Sequence, residues 1–117
     1  MNTRQDIEIN RGDTYTALIT VTDHLGAVVD ITGAEFFFTV KETNVDSDND
    51  DDAVIAVDWT SHTTPESGIT TLLVPAEDTK VPSRDYVYDV QMVLDGEVTT
   101  LKYGVATVKR EVTNRIT

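Results

Sequence analysis

The chain has 117 residues, carries 9 Lys+Arg against 21 Asp+Glu for a net charge of -12, and contains no cysteine. This length suits one core, and size scaling has folding bury on the order of 12,000 Å² of the roughly 19,000 Å² exposed in the unfolded chain. The missing cysteines exclude disulfides and thiolate chemistry, and the acidic balance argues against nucleic acid and against anionic membrane surfaces as partners.

The N-terminus, Met1-Asn2-Thr3-Arg4-Gln5-Asp6, is polar and leads into no apolar stretch of signal-peptide length, so no secretion signal is expected. The longest apolar runs, Phe36-Phe37-Phe38 and Leu72-Leu73-Val74, fall far short of the roughly 20 residues of a membrane span. Val, Ile and Thr make up 42 of the 117 residues. Such β-branched side chains suit a pleated, half-buried surface better than a helix.

The periodicity predicts strands one after another. Residues 7–10 form the first, followed by turn chemistry at Arg11-Gly12-Asp13. Over 14–22, Tyr15, Ala17, Ile19 and Val21 share one face and Thr14, Thr16, Thr20 and Thr22 the other, with Leu18 out of pattern. After a turn at Asp23-His24-Leu25-Gly26, strands are expected at 28–30, 34–42, 54–60 and 69–74, separated by Thr32-Gly33 and by Pro65-Glu66-Ser67-Gly68. Residues 75–81 are the one helical candidate, stopped by Pro82. Tyr86, Tyr88, Val90 and Met92 then alternate with Asp85, Val87, Asp89 and Gln91, up to the tight-turn dipeptide Asp95-Gly96. Strand 98–103 should return antiparallel, and Gly104 predicts a bulge or bend before the pattern resumes through Val105, Ala106, Val108 and Val112. Short strands punctuated in this way predict an all-β sandwich or barrel, and nothing supplies the crossover helices of a parallel fold.

The segment 43–53 stands apart, because Asp46, Asp48, Asp50, Asp51 and Asp52 hold five of the 21 acidic residues. Asp46, Asp48 and Asp50 have the 1, 3, 5 spacing of a calcium loop and form a weak calcium candidate. The rest of such a loop is missing: Asp51 stands where Gly is wanted and Val57 where a bidentate Glu is wanted. A solvated acidic loop between two strands is the plainer reading.

Arg11-Gly12-Asp13 spells an adhesion tripeptide but sits where a turn must precede a strand. His24 and His62 lack metal-ligand spacing and read as surface-loop residues. Ser47, Ser61, Ser67 and Ser83 have no nucleophile-elbow context, and no glycine-rich phosphate cradle occurs, so catalysis is not expected and no cofactor is implied. Trp59 shares a strand face with Ile55 and Val57, which favours core packing over a sugar-binding platform.

Taken in order, Gly12-Asp13-Thr14-Tyr15, Asp23-His24-Leu25-Gly26, Val29-Asp30-Ile31-Thr32-Gly33-Ala34, Phe36 and Phe38 form a recognisable series. It continues with Gly68, the 75–82 helical turn, Tyr86-Val87-Tyr88-Asp89-Val90, Asp95-Gly96, Gly104 and Val108. Over residues 7–113 this series resembles the N-terminal domain of phage baseplate upper proteins. The acidic loop is longer than in that pattern, and Pro82-Ser83-Arg84-Asp85 lacks an expected Gly. The resemblance implies one immunoglobulin-like antiparallel β-sandwich over 1–117, with about seven to nine strands and at most one short helical turn. It further implies a structural virion component made in the host cytoplasm, docking other phage structural proteins in symmetric multiple copies in the tail, in the baseplate or on the capsid. The free sheet edges are expected at 7–10 and 105–112. The competing function class is a ligand-binding module for carbohydrate or adhesion; a small acidic inhibitor or nucleic-acid mimic draws on net charge alone.

Overall fold

The computed structural model describes residues 3–43 and 53–110. Among them lie eight strands: β1 (Thr3–Arg4), β2 (Ile7–Asn10), β3 (Tyr15–Thr20), β4 (Glu35–Glu42), β5 (Ile55–Trp59), β6 (Ile69–Val74), β7 (Asp85–Leu94) and β8 (Glu97–Lys109). One sheet runs β1-β8-β7-β4-β5 with β2 also on β8, and the other is the pair β3-β6. This is the strand arrangement of an immunoglobulin-like sandwich, with β3 and β6 laid over the β5-β4-β7-β8 sheet. The two sheets share one apolar core. Phe36, Phe38 and Val40 enter it from β4, Ile19 and Leu72 from the smaller sheet, and Tyr86, Tyr88, Val90 and Met92 from β7. The period of two explains each choice, since the residues between them face outward. Leu18, out of pattern in the sequence, is 63% exposed on the outer face of β3.

Tyr86 enters at the corner where the chain swings into β7. It is fully buried, and its hydroxyl donates to the Pro82 carbonyl at 2.6 Å. Such a tyrosine corner ties the strand start to the preceding turn in many sandwiches of this type.

Four local features depart from the sequence reading. The sheet is not wholly antiparallel, because β1 and β2 run parallel to β8, with Ile7 opposite Ala106 and Ile9 opposite Val108. Of the two segments expected as free edges, β2 does lie at the sheet's edge, whereas 105–109 is covered by it, and Val112 lies outside the described residues. Ile9 is fully buried, and its place beside Val108 is what brings its side chain into the core.

Residues 28–30 make only a bridge between Val28 and Thr22, after which Asp30 turns the chain by accepting from the Thr32 amide at 3.0 Å. The helical candidate is a single 3₁₀ turn, Ala76–Thr79, and a second one, Pro65–Ser67, occupies a segment read as turn chemistry alone. Gly68 closes that second turn at φ 73°, where an added Cβ would lie 2.7 Å from the carbonyl oxygens of Val21 and Val29.

The bulge falls at Leu101 rather than at Gly104. Gln91 pairs with Thr100 and Val90 with Lys102, leaving Leu101 as the extra residue. Gly104 serves a different purpose, since a Cβ there would stand 2.6 Å from the Gln5 carbonyl oxygen and 2.8 Å from a carboxylate oxygen of Asp6. The incoming β1–β2 connection runs close against β8 at this point. It is tied down by the Val105 amide, which donates to Asp6 at 3.0 Å, and by the Tyr88 hydroxyl, which donates to the Gln5 carbonyl. Burial of Tyr88, with Tyr15 and Asp6 adding to it, pushes its phenol up to about 12.

Candidate docking face

The outward side chains of β4, β7 and β8 fall into rows fixed by the strand registers. Glu35, Val93 and Val98 form one row, and Phe37, Gln91 and Thr100 the next. Thr39, Asp89 and Tyr103 form the third, and Lys41, Val87 and Val105 the fourth. These rows floor a shallow concavity of about 630 Å³ on the outer face of the large sheet. Val98 is 62% exposed, Val87 42% and Tyr103 40%. Large apolar side chains rarely gather at outward sheet positions unless something covers them.

The charge of this face differs from that of the molecule. Across the four rows the charged residues are Lys41, Asp89 and Glu35, so the face carries a net charge of -1 on a chain of net charge -12. The bulge at Leu101 builds the apolar end of the face. Outward positions on β8 are Val98 and Thr100 before it and Tyr103 and Val105 after it, a switch from even to odd numbers. Sequence reasoning did not single out Phe37, Val93, Val98 or Tyr103 as surface features. The available signal was the apolar character of Phe37, Val87 and Val93 at positions opposite in phase to the buried ones.

The residues singled out in the sequence fall elsewhere. Trp59 is half-buried, stacks on Phe36 with ring centroids 5.4 Å apart, and donates its indole N–H to Thr70 Oγ1 at 2.8 Å. The indole is thus a packing element that joins β5 to β6, as its strand face implied.

His62 is not a free surface-loop residue. Its Nε2 lies 2.8 Å from the Ala34 carbonyl oxygen, its Nδ1 2.9 Å from Thr70 Oγ1, and its ring packs edge-on against Phe36. A carbonyl only accepts, so Nε2 carries the proton, and the fully buried Thr70 hydroxyl, already accepting from Trp59, donates to Nδ1. The sequence signal missed here was Thr70, a hydroxyl on the inward phase of β6, which needs a polar partner inside the sandwich.

His24 is exposed in its loop beside Asp23. Amides of Ala27 and Leu25 donating to the Asp23 carboxylate hold it below its ordinary range. Arg11-Gly12-Asp13 is a docked turn: Arg11 Nε donates to the Val81 carbonyl at 3.0 Å, and the Gly12 amide to Thr79 Oγ1 at 3.0 Å. The same Thr79 hydroxyl lies 2.9 Å from the carbonyl oxygens of both Asp13 and Ala76. The tripeptide thus joins β2 to β3, and its arginine lies against the protein. Asp46, Asp48 and Asp50 lie outside the described residues. Among the described residues, no three His, Asp or Glu side chains converge as metal ligands.

The chain matches no known family's sequence pattern and no curated protein.

Proposed function

We propose that this chain is a non-catalytic docking module of a tailed-phage virion, serving as an adaptor in the tail or baseplate or on the capsid, in several symmetric copies. The observation that carries this reading is the outer face of the large sheet, where Phe37, Val87, Val93, Val98 and Tyr103 gather around a concavity, a surface suited to being covered in an assembly. The ordered series of turns and strands over residues 7–113 supplies the phage assignment, through its resemblance to baseplate upper-protein N-terminal domains. A sugar platform on Trp59 draws no support, because the indole N–H is taken by Thr70 and the ring is stacked on Phe36.

Quantitative mass spectrometry of purified particles of the encoding phage tests the reading. The chain is expected at a fixed, multiple copy number per particle. Its absence from particles, with abundant chain in the infected cell, would overturn the proposal.

A further inference from the structure

We propose that the occupant of the outer sheet face is a second copy of this chain, related by a two-fold axis that lies between the two faces and runs across the strands. This inference rests on the docking reading above and names its partner.

The register carries it. An axis passing between the Phe37 row and the Thr39 row lays the first row of one copy on the fourth row of the other, and the second on the third. Val87 then meets Val93, and Val105 meets Val98. Asp89 meets Gln91, and Lys41 meets Glu35. Each contact occurs twice, as an isologous interface requires. Valines meet valines in the outer rows, a cation meets an acid, an acid meets an amide, and the two aromatic rings, Phe37 and Tyr103, meet the threonines Thr39 and Thr100. A face shaped for an unrelated partner has no reason to match its own reversed order.

Electrostatics point the same way. Two chains of net charge -12 repel through most of their surfaces, and the four rows hold only -1 of that charge, Lys41 against Asp89 and Glu35, so little of the repulsion arises at this face. The area sets the strength of the contact. The three strands that carry the rows, at about 4.8 Å spacing and some eight residues each at about 3.3 Å per residue, project roughly 380 Å² before side-chain relief is added. A specific interface buries about 800 Å² per partner, so the face supports a weak association, with Kd on the order of 0.1 mM. Two twisted sheets of this kind pack with their strands roughly 30° apart.

Sedimentation velocity of the full chain from about 1 µM to about 1 mM spans the expected affinity. The wild-type chain is expected to shift from monomer to dimer over this range. V98K, at an exposed position, is expected to weaken the dimer at least tenfold, and K41E about tenfold because it sets Glu against Glu35 at two symmetric places. The double variant E35K/K41E reverses both partners and is expected to regain most of the loss. Circular-dichroism melting shows whether each variant is folded; if V98K fails to fold, the two charge variants still decide.

A chain that stays monomeric throughout overturns the inference, as does a dimer indifferent to both V98K and K41E. A K41E loss that E35K/K41E does not restore overturns the two-fold placement. A monomeric chain that is nonetheless present in purified particles defeats the second-copy inference alone. A dimeric chain absent from particles defeats the virion reading alone.

Discussion

Thr70 shows how much of this sandwich depends on a single hydroxyl. It is fully buried, accepts from Trp59 at 2.8 Å, and meets His62 Nδ1 at 2.9 Å. Thr70→Val keeps the shape of the side chain but leaves an indole N–H and a ring nitrogen without partners inside the protein. Each unsatisfied group costs about 1–3 kcal/mol, so a loss of about 2–3 kcal/mol is expected in the urea midpoint of the variant, with Thr70→Ser close to wild type. A change below about 0.5 kcal/mol, the level of an ordinary surface substitution, would show that the network contributes little. At this scale the sequence was only partly legible. The strand face of Trp59 gave its packing correctly, because period-two alternation is a local property. The role of His62 was hidden, because its partners, Ala34 and Thr70, lie 28 and 8 residues away and meet it only after both sheets have formed.

At the scale of elements, β8 organises the larger sheet, with β7 on one side and both β1 and β2 on the other. Gly104 permits the close approach of the β1–β2 connection, where any side chain would collide with Gln5 and Asp6. Gly104→Ala is expected to cost about 1–3 kcal/mol, as overpacking does, and to release the incoming segment first. Hydrogen exchange reads this directly. The amides of Gln5, bonded to the Tyr103 carbonyl at 2.8 Å, and Val105, bonded to Asp6 at 3.0 Å, should exchange faster, while the amides shared by β4 and β7 keep their protection. Uniform protection across these amides would contradict this account of the glycine. The strands themselves were legible from alternation and from Gly- and Asp-containing turns. The parallel pairing of β2 with β8 was not, because contacts between the two ends of a chain leave no local periodicity. The bulge was placed three residues too late. Glycine marks close approach as readily as an extra residue, and Leu101 carries no turn chemistry of its own.

For the molecule as a whole, the tyrosines set a limit on the alkaline side. Burial raises the phenols of Tyr15 and Tyr86, and that of Tyr88 to about 12. Below pH 10, the ordinary phenol value, these groups are protonated in both folded and unfolded chains, so they add no slope to stability. Between pH 10 and about 12 the unfolded chain releases protons that the folded chain retains, so stability is expected to fall over that window. Urea midpoints measured from pH 8 upward check the sign; a midpoint that rises above pH 10 would contradict it.

The net charge of -12 also takes on a spatial meaning. The outer face of the large sheet gathers valines and aromatic rings around one cation, Lys41, and two acids, Asp89 and Glu35, so it holds little of that charge. That face was only partly legible in the sequence, through the apolar Phe37, Val87 and Val93 at positions opposite in phase to the buried ones. It requires three strands in register and a change of phase at Leu101, which brings Val98 and Tyr103 to the same side. The claim that this face is where a second copy docks is tested most directly by two-dimensional ¹H–¹⁵N NMR of the full chain as it is concentrated. Shifts are expected at Phe37, Val87, Val93, Val98 and Tyr103, with the β3–β6 sheet unmoved. Shifts confined to the turns around Asp23 and Asp95, or none at any concentration, would contradict it.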